Sequence, residues 1–263
     1  MGTSPSPSPD RGALFIVGTG PGCPGQMTGR AAEAIARSKY VVGNALYLEM
    51  LGEMTAGKEL VVSSMGREVE RAKKAVELAG QNVVSIVSGG DAGVYGMASI
   101  VLEIVDRSGA DIDLEIVPGV TAATAASALL GAPLSSDFMV ISLSDLLTPW
   151  AEIERRLGAA FSLGIPVVLY NPKSMRRPEN LNIALAIASR HLPPGTPVGV
   201  VKNAYRDGEQ VTVTTLEEIA SDDRFVDMHS TVVVGGKESR FWKVGSDVKG
   251  IITPRGYDRK YVY

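Results

Sequence analysis

The stretch Ile86–Ala98 reads IVSGGDAGVYGMA. An apolar run ends in closely spaced glycines, and an aspartate, Asp91, sits among them. The run predicts a buried strand over Val83–Val87, and the stripe Met97, Ile100, Val101, Ile104 and Val105 predicts a helix behind it. A glycine loop between the two lets the backbone approach a ligand closely. A phosphate cradle wants backbone N–H groups and positive charge, so a carboxylate there points to a different ligand.

The same alternation extends outward in both directions. Leu14–Val17, Tyr40–Val42, Val61–Ser63 and Leu114–Val117 read as strands. Thr28 is placed to cap a helix running to about Arg37. Val69, Ala72, Ala75, Val76 and Ala79 give a helical stripe within Arg67–Gly80. A small-residue helix follows Pro118-Gly119. The pattern restarts with strands at Phe138–Ser142, Val167–Tyr170 and Val198–Val201, an antiparallel strand at Gln210–Thr214, and a final strand at Thr231–Val234. Helices are predicted from Thr148-Pro149, with Thr as N-cap, and over Leu181–Ser189 and Leu216–Ala220. The fold class is α/β: two α/β domains with mostly parallel sheets flanking a cleft. The expected boundaries are a disordered Ser-Pro tail over 1–12, domains over 13–131 and 132–245, and a tail over 246–263.

Composition narrows the function. The 263 residues are 45% hydrophobic with a net charge of −3, without the basic face that nucleic acid requires. One Cys and two His exclude an internal disulfide framework and the usual zinc sites. No apolar run reaches the roughly 18–20 residues of a membrane span. A soluble, cytoplasmic protein is expected. His191 and His229 are isolated, and Cys23 has no basic neighbour to activate it.

The first glycine cluster, Gly18–Gly25, reads GTGPGCPG. It lacks the third glycine of the dinucleotide fingerprint and the acid some 20 residues on, and no Gly-Lys-Ser/Thr occurs. Five segments follow strand ends: Gly18–Gly22, Ser88–Gly96, Pro118–Thr121, Tyr170–Pro172 and Asn203–Ala204. Each alone is an ordinary turn, but together they predict a pocket at the carboxyl edge of the strands. Lys173, Arg176, Arg177, Lys202 and Arg206 near that rim suit an anionic substrate.

Together, GTGPG, SGGDAGVYGMA, VPGVTAATAASALLGAPL, ISLSDLLTPW, YNPKS, VVKNA and ITPRGY resemble the tetrapyrrole (corrin/porphyrin) methyltransferases over about residues 13–257. ISLSDLLTPW and ITPRGY point within that family to the precorrin-3B C17 enzymes of cobalamin biosynthesis. The resemblance implies a homodimer with S-adenosylmethionine in the interdomain cleft and a precorrin substrate. Methyl transfer to C17 would accompany ring contraction to precorrin-4. Methylation at another corrin position, or a non-catalytic sensor of cofactor or tetrapyrrole, are the alternatives. Cofactor contacts would fall on Pro21, Gly89, Gly90, Asp91, Val94, Thr121, Ala122, Asn171, Ala204 and Thr231. Asp145 and Tyr47 are the catalytic candidates. Lys173, Arg176, Arg177, Lys202, Arg206 and Arg255 would meet the substrate's carboxylates. No protein-bound metal is expected; any cobalt would arrive with the substrate. The sequence departs from the family at Ala92, where Pro is usual, at Cys23, where Asp is frequent, and at Asn44, where uroporphyrinogen methylases carry an acid.

Overall fold

In the computed structural model, which describes residues 12–175 and 177–262, the chain divides into two compact units, Met1–Ala122 and Ala123–Tyr263. The Ser-Pro tail lies outside the described residues apart from Gly12. The division falls before the expected 131/132 boundary, because the small-residue helix packs in the second unit.

The first unit holds β1 (Ala13–Gly18), α1 (Gly29–Arg37), β2 (Tyr40–Asn44), α2 (Ala45–Leu51), β3 (Glu59–Ser63), α3 (Glu68–Ala79), β4 (Val83–Ser88), α4 (Ala98–Ser108) and β5 (Asp113–Val117). The sheet order is β3-β2-β4-β1-β5, and every pairing is parallel. Successive strand residues face opposite sides. Leu14 and Ile16 therefore join the core under α3 and α4, while Phe15 and Val17 join the one under α1 and α2. Both faces are covered, so the strands read as continuous apolar runs. Thr28 caps α1 as expected, its hydroxyl accepting from Ala31 N–H at 3.1 Å. Val69, expected in the α3 stripe, is 49% exposed. The stripe reaches the core only from Ala72, and Arg71 takes the buried position there, donating to Ser63 Oγ at 2.6 Å.

The second unit holds α5 (Ala122–Leu130, entered one residue before the division), β6 (Gly131–Ala132), β7 (Met139–Ser142), α6 (Trp150–Leu163), β8 (Val167–Tyr170), α7 (Asn180–Ala188), β9 (Pro197–Lys202), β10 (Gln210–Thr215), α8 (Leu216–Ser221), β11 (Ser230–Val234), β12 (Arg240–Val244) and β13 (Asp247–Ile252). Its main sheet runs β10-β9-β11-β8-β7. α6, α7 and α8 cover one face and α5 the other.

Four expectations need correction here. β10 is antiparallel to β9 as expected, but β8–β11 and β11–β9 are antiparallel too and only β7–β8 is parallel, so the mostly parallel arrangement belongs to the first unit. β11 is not the last strand, and 246–263 is not simply a tail. β12 and β13 form a hairpin that pairs through β13 with β6. Thr148 is not the N-cap of α6: Pro149, with extended φ −56° and ψ 139°, holds that position, and its carbonyl accepts from Glu152 and Ile153.

Candidate active site

β4, β1 and β5 are adjacent and parallel, so Gly18, Ser88 and Val117 end on one edge. The loops that follow nest against one another. Gly20 and Gly90 exchange both backbone hydrogen bonds, at 3.0 and 2.8 Å, and each has positive φ, 74° and 72°. Thr19 N–H and Oγ1 both donate to the Ser88 carbonyl. A Cβ on Gly18 would lie 2.7 Å from Gly119 N, and one on Gly119 only 2.2 Å from the Gly90 carbonyl oxygen. The glycines thus let three loops approach each other.

Asp91 ties the assembly together. Its Oδ1 accepts from Gly93 N–H at 2.8 Å and Val94 N–H at 3.1 Å, and its Oδ2 from Gly119 N–H at 2.9 Å. The carboxylate in the glycine loop is therefore a staple between the loops after β4 and β5. An ionised carboxylate offers about four acceptor positions. Three are taken by the loops.

The other predicted cofactor residues of this unit sit on the same loops. Pro21 is buried, Gly89 and Gly90 are half-buried, and Val94 is exposed. Thr121 and Ala122 lie against Gly90, whose added Cβ would sit 3.7 Å from Thr121 Cα and 3.8 Å from Ala122 N. Tyr47 on α2 walls this loop: a Cβ on Gly89 would come within 2.4 Å of its ring. Ala92, at the family's Pro position, is fully buried, and its carbonyl accepts from Ala98 N–H at the start of α4.

In the second unit, β7 and β8 are parallel, and β9 runs the same way because both β8 and β9 oppose β11. Their carboxyl ends and the start of β11 share one edge. Non-glycine residues with positive φ gather there: Asn171 at 52°, Asn203 at 51° and Tyr205 at 58°. Such strain clusters at ligand sites, which makes the loops after β8 and β9 candidates independently of motif. Asn171 Nδ2 donates to Ser142 Oγ at 2.9 Å, and Tyr170 Oη accepts from Ala123 N–H at 2.6 Å in the first turn of α5. Ala204 packs on the α5 side of the sheet, and Thr231 is buried opposite Val201.

The predicted cations are less available than the sequence suggests. Lys173 Nζ pairs with Asp223 at 2.7 Å, and Lys202 Nζ with Asp227 at 2.6 Å. Burial would raise the Asp227 carboxyl, but Lys202 and the His229 N–H outweigh it and hold it below the usual carboxylate range. Both lysines thereby fasten the 222–229 segment to the ends of β8 and β9. Arg177 donates to Ser144 Oγ and lies 3.7 Å from Asp145 Oδ1, so one predicted substrate cation and one predicted catalytic acid are partners. Arg206 N–H donates to the Asn203 carbonyl within the β9–β10 loop. The Arg255 guanidinium sits 6.0 Å over the Tyr257 ring. Arg176 lies outside the described residues. Sequence reasoning missed Asp223, Asp227 and Ser142. The acidic run SDDRFVD, Ser221–Asp227, was the available signal for the first two. Among the described residues, no three His, Cys, Asp or Glu are grouped to hold a metal ion, and no helix is long and apolar enough to cross a membrane.

Residues 13–220 match the family profile of the Tetrapyrrole (Corrin/Porphyrin) Methylases. The chain belongs to this family. As a tetrapyrrole methylase it is 44% identical, over 93% of its length and 99% of the relative's, to a probable cobalt-factor III C(17)-methyltransferase of Salmonella typhimurium. It is 42% identical over 96% of its length to the cobalamin biosynthesis protein CbiHC of Archaeoglobus fulgidus, and spans about half of that longer relative, 54%. The crystal structure of the methyltransferase CobJ superposes with a TM-score of 0.85 at 31% identity, covering 92% of this chain and all of that one. The two-unit α/β architecture is that of the family.

Proposed function

We propose that this tetrapyrrole methylase transfers the methyl group of S-adenosylmethionine to C17 of precorrin-3B or its cobalt counterpart, with ring contraction to the precorrin-4 level, in cobalamin biosynthesis. The observation that carries the cofactor assignment is the donor set at the edge of the first sheet. The segments 18–22, 88–96 and 118–121 contain no Lys or Arg, one carboxylate, and mostly small residues, with Gly93, Val94 and Tyr95 exposed. That chemistry, with Asp91 occupied by loop N–H groups and no cation present, suits a ligand that carries hydroxyls and an amino group and no phosphate.

When bound, S-adenosylmethionine supplies an electrophilic methyl group. The chain's part is to orient and desolvate. Main-chain groups of Pro21, Gly89, Gly90, Val94, Thr121 and Ala122 line the cofactor, and Asp91 holds their loops in register. Asn171, Ala204 and Thr231 are further cofactor contacts by family resemblance, with Asn171 held by Ser142. Asp145, exposed on its loop beside Arg177, is the candidate to take or give a substrate proton; Tyr47 serves chiefly as the wall behind Gly89. Arg177, Arg206 and Arg255 are the cations for the substrate's acid rim, while Lys173 and Lys202 fasten the scaffold. Cytoplasmic location and a homodimer complete the proposal on the family resemblance.

The test is incubation with methyl-labelled S-adenosylmethionine and either precorrin-3B or cobalt-factor III, followed by mass spectrometry. One substrate should gain a single labelled methyl group. Transfer to neither, by protein that binds the cofactor, would overturn the assignment.

A further inference from the structure

Leu146 and Leu147 are 76% and 93% exposed, side by side, on the segment joining β7 to α6. Single exposed leucines are ordinary. This pair differs because the backbone leading to it is anchored. Leu143 N–H donates to the Tyr170 carbonyl at 2.8 Å, and its own carbonyl accepts from Asn180 Nδ2 at 2.7 Å. Ser144 N–H donates to Ser142 Oγ, the hydroxyl that also receives Asn171 Nδ2. The Arg177 guanidinium then holds Ser144 Oγ and faces Asp145. The chain is anchored up to Asp145, and the two leucines that follow it display apolar surface at the edge where Asn171 sits.

We infer that Leu146 and Leu147 form an apolar platform for the flat face of the tetrapyrrole ring, making them specificity-determining residues of the proposed methyl transfer, on which this inference rests. A ring with an apolar face and an acidic rim needs exposed hydrocarbon next to a cation, and Arg177 supplies the cation beside this pair. The link through Ser142 to Asn171 ties the platform to a proposed cofactor contact, which favours substrate over a second copy of the chain as occupant.

The test compares the full chain with the double variant Leu146→Ser/Leu147→Ser. Neither side chain is buried, so the variant should melt within about 2 °C of the parent. Uroporphyrin III serves as the ring probe, read by quenching of tryptophan fluorescence, and S-adenosylhomocysteine as the cofactor probe, read by calorimetry. The expected result is a loss of roughly tenfold or more in uroporphyrin affinity, from the lost apolar contact, with S-adenosylhomocysteine affinity unchanged. Equal uroporphyrin affinity in both proteins overturns the platform alone. So does a parent that binds S-adenosylhomocysteine but no uroporphyrin, or a variant that loses self-association and keeps its ring affinity. A parent that binds neither probe overturns the methyltransferase reading itself.

Discussion

Gly119→Ala should weaken binding of S-adenosylhomocysteine by about a hundredfold. The new Cβ would lie 2.2 Å from the Gly90 carbonyl oxygen and 2.8 Å from the Gly18 carbonyl carbon and oxygen. All three atoms are backbone, so no rotamer change relieves the contact. The loops after β1, β4 and β5 must separate by about 1 Å, and misplacement on that scale costs on the order of a hundredfold in function. The Asp91–Gly119 bond and the Gly20–Gly90 pair would stretch with them. Overpacking of this kind typically costs about 1–3 kcal/mol, which lowers the melting temperature by roughly 2–12 °C for a chain of this size. Gly25→Ala is the control, because a Cβ there meets nothing within 4 Å. Calorimetry and a thermal melt on both variants check the expectation. Normal cofactor affinity in Gly119→Ala would show that loop nesting does not shape the site.

Asp91→Ala should weaken cofactor binding by roughly 10- to 100-fold and destabilise the chain by about 2 kcal/mol. Three N–H groups lose their acceptor. Water can replace it at the exposed Gly93 and Val94 but less easily at the part-buried Gly119 contact. Asp91→Asn separates two roles for the carboxylate. An amide oxygen can still accept from Gly93 and Val94 while its NH2 faces Gly119, so one bond of three is lost and the defect should be well short of alanine's. If Asp91 worked through its charge on the cofactor, asparagine would be as damaging as alanine. Calorimetry with S-adenosylhomocysteine on the two variants decides between these outcomes.

The first unit was legible because its physics is local. Parallel strands covered on both faces give unbroken apolar runs, and Thr28 caps α1 where it stands in the sequence. The loop after β4 could be singled out as a candidate ligand loop, but the partner of Asp91 could not. Gly119 is 28 residues away, brought close only by the β4-β1-β5 order. The reversed direction of β11 was equally hidden, since a buried strand looks the same whichever way its neighbours run; β10 was legible as antiparallel. The β12–β13 hairpin was missed because RFWKV is mostly exposed and shows no clean alternation; pairing with Gly131–Ala132 holds it. Lys173 and Lys202 read as open cations because their carboxylates, Asp223 and Asp227, reach them only in the folded sheet. Val69 was misplaced for a related reason: the spacing that marks a helix face does not say where along the helix the core ends.

The most direct measurement is a crystal structure of the chain grown with S-adenosylhomocysteine. The ligand should lie along the main chain of Gly90–Val94 and of Thr121–Ala122, with Asp91 still bonded to Gly119. Ligand density away from the carboxyl edge of β1, β4 and β5 would contradict the account.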